Sequence, residues 1–179
     1  MVDKAHSELV QLLQRQPDDR SLGNRVIAAE IAQPADLTKD AELLEGVWEL
    51  RWSSSKQPWL KQAPWLDNLQ VLDPFNKRGC NLLRLRGPLG SIGGICVQAN
   101  LQIINVKRVE VRFIRGGWVI GSQLLGKRRL PLMREIKQRS SAWLDITVLD
   151  RQLRICRGNA GTIFALLKRE DICISDFFV

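Results

Sequence analysis

Gly46-Val47-Trp48-Glu49-Leu50-Arg51-Trp52-Ser53 is where the patterning of the chain changes. Gly46, Trp48, Leu50 and Trp52 fall on one side of a period of two, and Val47, Glu49, Arg51 and Ser53 on the other. Upstream the period is helical. Leu9, Leu12 and Leu13 follow Ser7, a candidate cap. Asp18, Asp19 and Ser21 open a second predicted helix, with Ile27, Ala28 and Ile31 on one face and Pro34 at its end. A third short turn is expected over residues 36–44.

Downstream the period of two persists. Leu83 and Leu85, then Ile95 to Ile103, then Val109, Val111 and Phe113 alternate with more polar neighbours. Leu144, Ile146 and Val148 do the same, followed by Leu153 and Ile155, then Ile163, Ala165 and Leu167. Asn76-Lys77-Arg78-Gly79 and Asp150-Arg151 read as tight turns. Strands with one apolar face belong to antiparallel sheets whose other side meets water. About eight such strands after segregated helices make the chain mainly β (α+β), with a helical segment over 1–44 and a β domain over 45–179. A barrel of about eight strands encloses one small ligand. A filled barrel or a β-sandwich meets the same periodicity.

The chain has 179 residues, suited to one domain, and 45% are hydrophobic, enough for a packed core. Its only histidine, His6, lies near a chain end, which argues against a His-dependent triad. Cys80, Cys96, Cys156 and Cys173 are far apart with no Cys-x-x-Cys. That spacing offers no zinc site and fits a reducing compartment. The start lacks the apolar run of a secretory signal and carries early acids unlike a transit peptide. The uncharged run 87–106 holds four glycines and a proline and reads poorly as a membrane span.

The net charge is +8, from 27 Lys and Arg against 19 Asp and Glu. Residues 105–140 hold ten of those cations and only two acids, Glu110 and Glu135. The basic loop expected over Gly126–Arg134 contains Lys127, Arg128 and Arg129. Three readings fit a concentrated basic face: an anionic membrane, nucleic acid, or a solvated face without partner. Only Phe113 and Trp118 are aromatic within 105–140, too few to stack bases between the cations. Pro58-Trp59-Leu60-Lys61 recurs as Pro64-Trp65-Leu66-Asp67. It fits a lid over a barrel mouth, an interfacial anchor through Trp59 and Trp65, or a short helix with both indoles inward.

Gly46-Val47-Trp48 resembles the opening signature of lipocalins, where the glycine admits a close neighbour and the tryptophan plugs the barrel end. A longer stretch, Trp143-Leu144-Asp145-Ile146-Thr147-Val148-Leu149-Asp150-Arg151-Gln152-Leu153-Arg154-Ile155-Cys156-Arg157-Gly158-Asn159-Ala160-Gly161-Thr162-Ile163-Phe164-Ala165-Leu166, closely resembles the C-terminal signature of the plastid-lipid-associated proteins, or fibrillins. Its core is Leu149-Asp150, Leu153-Arg154-Ile155, Arg157-Gly158-Asn159 and Gly161. Leu44 to Ser54 resembles the family's N-terminal block, and Asn81 its central asparagine. Members commonly carry tyrosine where Trp52 and Val148 stand; this chain has none. The resemblance covers roughly residues 1–168 and is specific at its two ends.

That resemblance implies a lipocalin-like barrel behind helices. It also implies non-enzymatic binding of isoprenoids, carotenoids or quinones near photosynthetic membranes, with no cofactor or metal. With the missing transit peptide, it suggests a cyanobacterial member, cytoplasmic, peripheral to the thylakoid and monomeric. The expected ligand contacts are Trp48, Trp52, Asn81, Phe113 and Arg157. Gly46, Asp150, Arg154 and Gly158 form the structural signature, and Lys127, Arg128, Arg129, Trp59 and Trp65 the membrane-docking set. Alternation puts Leu153, Ile155 and Arg157 on one face and Arg154 and Cys156 on the other. An arginine on an apolar face needs a carboxylate, a carbonyl or an aromatic plane. Trp48 and Asp150 are the candidates inside, and Asp145 or Asp150 would serve Arg154 outside. The rival reading is an accessory or lyase-like barrel acting on tetrapyrrole or quinone intermediates, marked by a reactive cysteine or acid in the cavity.

Overall fold

A computed structural model describes residues 2–57, 60, 63–86, 93–120, 130–137 and 141–178. Two helices lead, α1 (Val2–Arg15) and α2 (Leu22–Ala32). A four-residue helix, α3 (Leu37–Asp40), and a 3-10 turn over Ala41–Leu44 follow, as the 36–44 reading expects. Asp36 caps α3 by accepting from the Thr38 amide at 3.0 Å. Ser7 is not a cap, because α1 already begins at Val2.

The strands are β1 (Gly46–Ser53), β2 (Leu66–Asp73), β3 (Arg78–Leu85), β4 (Gly93–Ile103), β5 (Arg108–Ile120), β6 (Leu130–Glu135), β7 (Ala142–Leu149), β8 (Leu153–Gly158) and β9 (Ile163–Arg169). All described pairings are antiparallel. They run β1–β2–β3–β4–β5–β7–β8–β9 and return to β1, so eight strands close into a barrel-like ring. β5 pairs with β4 along one edge and divides its other edge between two strands: Arg108–Val111 pairs with β7, and Arg115–Ile120 pairs with β6. Beyond Phe113 it therefore leaves the ring and forms a ribbon with β4 and β6. Residues 130–134 of the expected basic loop are thus strand. β2 also escapes the periodicity reading, hidden behind the Trp-rich repeat.

Three cores result. Trp48, Leu50, Leu101, Val109, Val111 and Ile146 form the inner core of the ring with Leu37 and Leu44 from the capping turns. A second core lies outside, where Leu9, Leu13, Leu22 and Val26 of the helices cover Val148, Leu153, Ile155, Ile163 and Ala165. A third lies under the C-terminal tail, where Ile172, Ile174, Phe177 and Phe178 pack over Val47, Leu69, Val71, Cys80 and Cys96. The Cys80 and Cys96 sulfurs meet there at 2.7 Å. The sheet's outer side therefore does not simply meet water. On α2 the buried face is Leu22, Val26 and Ala29, and Ile27 and Ile31 are exposed. Both sets have helical spacing, so period alone does not choose between them.

Two β-bulges tie the helices to the ring. On β1 the register shifts between Leu50 and Trp52. Arg51 then points outward and donates to the carbonyls of Leu13 (3.0 Å) and Gln14 (2.8 Å), which would otherwise be orphaned at the α1 C-terminus. On β7 the register shifts between Ile146 and Val148. Thr147 then reaches Glu30 of α2 at 2.7 Å. Arg157 joins them, its Nε 2.9 Å from Glu30. Burial pushes the Glu30 carboxyl up, but the bonds from Arg157 and Thr147 outweigh it and hold it below its ordinary value. Such a group stabilises the fold above its unfolded pKa, and that contribution is lost as pH falls through the folded value. Wild type should therefore lose more thermal stability than Glu30→Gln between roughly pH 5 and pH 3. Parallel melting curves for the two proteins would contradict the clamp.

Candidate functional site

The ring encloses a cavity of about 560 Å³, within the usual range for small-ligand pockets. Leu50, Leu72, Leu101, Val109, Val111, Phe113 and Ile146 give it an aliphatic and aromatic wall. Leu60, from the β1–β2 connection, also lines it, as a lid residue would. Among the described lining residues the polar ones are Asn68, Gln70, Lys77, Asn81, Gln102, Asn159 and Arg154, with the thiol of Cys80, and none is Asp or Glu.

One wall position is a buried cation on an aromatic plane. Trp48 is fully buried and donates Nε1–H to the Leu44 carbonyl at 2.9 Å, which ties the ring to the capping turns. The Arg154 guanidinium lies 5.1 Å from its ring centre and the Lys168 ammonium 5.3 Å. Cation–π attraction favours both contacts. Gly46 explains how Lys168 gets there. It sits at φ +137, and a Cβ on it would fall 2.6 Å from the Lys168 Cε. Arg154 lines the cavity; Trp48, which it covers, does not. Arg154 donates Nη2–H to Gln70 Oε1 across the ring.

This arrangement corrects several expected contacts. Phe113 and Asn81 line the cavity as expected. Trp48 belongs to the floor behind Arg154. Trp52 packs against the helix-facing core, because the bulge at Arg51 turns it outward opposite Ala165. Arg157 also faces outward, to Glu30, and Arg154 takes the inward place. Ile155 and Ile163 belong to the helix-covered core with them. Counting faces misassigned β8 because α1 and α2 make its outer side apolar, so the inner side carries Arg154 and Cys156. Neither Asp145 nor Asp150 serves Arg154. Asp145 pairs with Arg108 at 2.7 and 2.9 Å, and that bond holds its carboxyl below the ordinary value. Asp150 caps the β7–β8 turn through the Gln152 and Leu153 amides and lies 3.4 Å from His6. Gln70 had no sequence signal, since β2 itself went unread.

The remaining signature positions are structural. Gly158 leaves room for Phe164, whose Cε2 lies 3.4 Å from where a Cβ would stand. Asn159 accepts from the Trp143 amide at 2.7 Å and locks β7 to the β8–β9 turn. Ser54 accepts from the Ile163 amide at 2.9 Å at the end of β1.

The chain can be set beside known proteins on this geometry. The family model PAP_fibrillin matches residues 13–167, which run from α1 through β9. The chain belongs to the PAP/fibrillin family. It is 27% identical over 195 residues to the probable plastid-lipid-associated protein 2, chloroplastic, of Arabidopsis thaliana. That alignment takes in 82% of this chain and 62% of the relative, so the chain spans less than two thirds of the relative's length. No solved structure matches it.

This PAP/fibrillin chain has no described helix long and apolar enough to cross a membrane. Lys127, Arg128, Arg129 and Trp59 lie outside the described residues. Trp65 is exposed. A surface the motifs missed adjoins the basic loop. Ile95, Trp118 and Leu132 pair directly across β4, β5 and β6 and are 48%, 48% and 63% exposed. The register carries this row on the same face as Ala99 and Phe113, so the cavity's wall continues past the rim as an open apolar strip.

Proposed function

We propose that this PAP/fibrillin protein binds, without chemistry, an isoprenoid-type lipid such as a prenylquinone or carotenoid inside the ring. The observation that carries the reading is the 560 Å³ cavity with its aliphatic and aromatic wall. Apolar burial of about 25 cal/mol per Å² makes affinity follow ligand chain length, with loose selectivity. Titrating quinones of increasing prenyl length against tryptophan fluorescence tests this. Affinity should rise with each isoprene unit until the chain outgrows the cavity. Affinity flat with length, or no quenching by any apolar ligand, would replace lipid binding with a scaffold role. The non-enzymatic reading is supported by a described lining free of carboxylates, whose cysteine, Cys80, is buried with its sulfur 2.7 Å from that of Cys96. The lyase-like alternative gains no support from either.

Delivery is proposed at the surface of a photosynthetic membrane, plastid or cyanobacterial, by a monomer with no nucleic-acid role. The cations of 105–140, apart from Arg108, which Asp145 holds, supply about 1 kcal/mol each near an anionic surface, and the Ile95–Trp118–Leu132 strip supplies insertion. Charge reversal at Lys127, Arg128 and Arg129 should abolish flotation with anionic vesicles and leave the melt unchanged. Trp118→Ser should weaken flotation at high salt, where charge is screened. Unaltered flotation by both variants would remove the membrane from the proposal.

A further inference from the structure

Arg154 is fully buried and lines the cavity, yet its Nε and Nη1 donate to no acceptor among the described residues. Only Nη2 is engaged, and its acceptor, Gln70, is neutral. The other contact is the face of Trp48. No carboxylate stands among the described lining residues, and both acids of the C-terminal signature are committed elsewhere, Asp145 to Arg108 and Asp150 to its turn, as Glu30 of α2 is to Arg157. A guanidinium does not deprotonate in proteins, so the ring holds a permanent positive charge with free donors. Burial works against that charge. An unpaired buried charge is costly, and the planar fork of an arginine matches a carboxylate.

We propose that the cavity's ligand carries a carboxylate head on its apolar chain and seats that head on Arg154. Gln70 fixes the fork by holding Nη2, and Trp48 supports it from behind. The tail then runs along Leu50, Val111 and Phe113 toward the rim. This rests on the lipid-binding reading and narrows it to apolar chains that end in a carboxylic acid, which neutral quinones and carotenoids match only in their tails.

The test uses the full chain and three ligands of one C20 prenyl chain: geranylgeraniol, geranylgeranoic acid and geranylgeranyl phosphate, titrated at pH 8. The acid should bind about tenfold or more tighter than the alcohol, the usual gain from a charge-assisted pair. Arg154→Met should erase that preference while the alcohol still binds, and Arg154→Lys should keep part of it. Carboxyl-¹³C-labelled acid bound to wild type should stay ionised at a pH where the free acid is protonated. If acid and alcohol bind equally, the head-group assignment falls and lipid binding stands. If the phosphate binds tightest, a phosphorylated lipid replaces the carboxylate. If none of the three binds, lipid binding itself fails. Should Arg154→Met not fold, the ligand series and the labelled acid on wild type decide the matter.

Discussion

Replacing Trp48 by alanine should cost about 3–5 kcal/mol of stability, the usual range for truncating a buried aromatic. The side chain is fully buried, holds the Leu44 carbonyl at 2.9 Å and backs two cations, Arg154 and Lys168. Its loss removes apolar contact, orphans a buried carbonyl and strips Arg154 of its aromatic support at once. Trp48→Phe keeps a plane for the cations and loses the Leu44 bond and part of the buried ring, so it should cost less than the alanine change, about 1–2 kcal/mol. Chemical denaturation of the three proteins measures both steps. A wild-type midpoint for the alanine variant would place Trp48 outside the core and undo the β1 register. A phenylalanine variant as damaged as the alanine one would show that the hydrogen bond, not the plane, holds the cap.

How far the sequence could be read depends on where the ring departs from a strict period of two. β1, β3, β4, β5, β7, β8 and β9 are visible as alternation; the turn at 150–151 falls where expected, and the one expected at 76–79 lies over 74–77, because Arg78 and Gly79 already belong to β3. Face assignment fails beyond each bulge. Trp52 and Val148 share a parity with Leu50 and Ile146, but the extra residues Arg51 and Thr147 turn both outward. A bulge leaves no mark in hydropathy. Its cause is visible only in three dimensions, where Arg51 and Thr147 serve α1 and α2. The exchange of Arg154 and Arg157 has a different origin. β8 is apolar on its helix-covered side and charged on its cavity side, the reverse of an open barrel wall. Residues with the composition of a solvent face therefore form the floor of the site. The family signature thus joins two tasks in one short strand: Arg157 clamps α2, and Arg154, three residues earlier, faces the cavity.

Val111→Trp should fill the cavity and separate ligand binding from folding. Val111 is buried on β5 between Leu101 of β4 and Ala142 of β7, and it lines the cavity wall. An indole there takes space that a prenyl chain would use. Displacing about 100 Å² of ligand surface at about 25 cal/mol per Å² removes about 2.5 kcal/mol of binding, well over tenfold in affinity. The same indole adds apolar contacts inside a void, so the melting temperature should hold or rise. Ala99→Leu, on the facing stretch of β4, makes a milder filling if the tryptophan overpacks and lowers stability. Isothermal titration with a long prenylquinone alongside thermal melts reads both quantities. Undiminished affinity in folded, filled variants would mean that the lipid lies elsewhere. The outer strip of Ile95, Trp118 and Leu132 would then be the binding surface, and the cavity would be a packing defect of the ring.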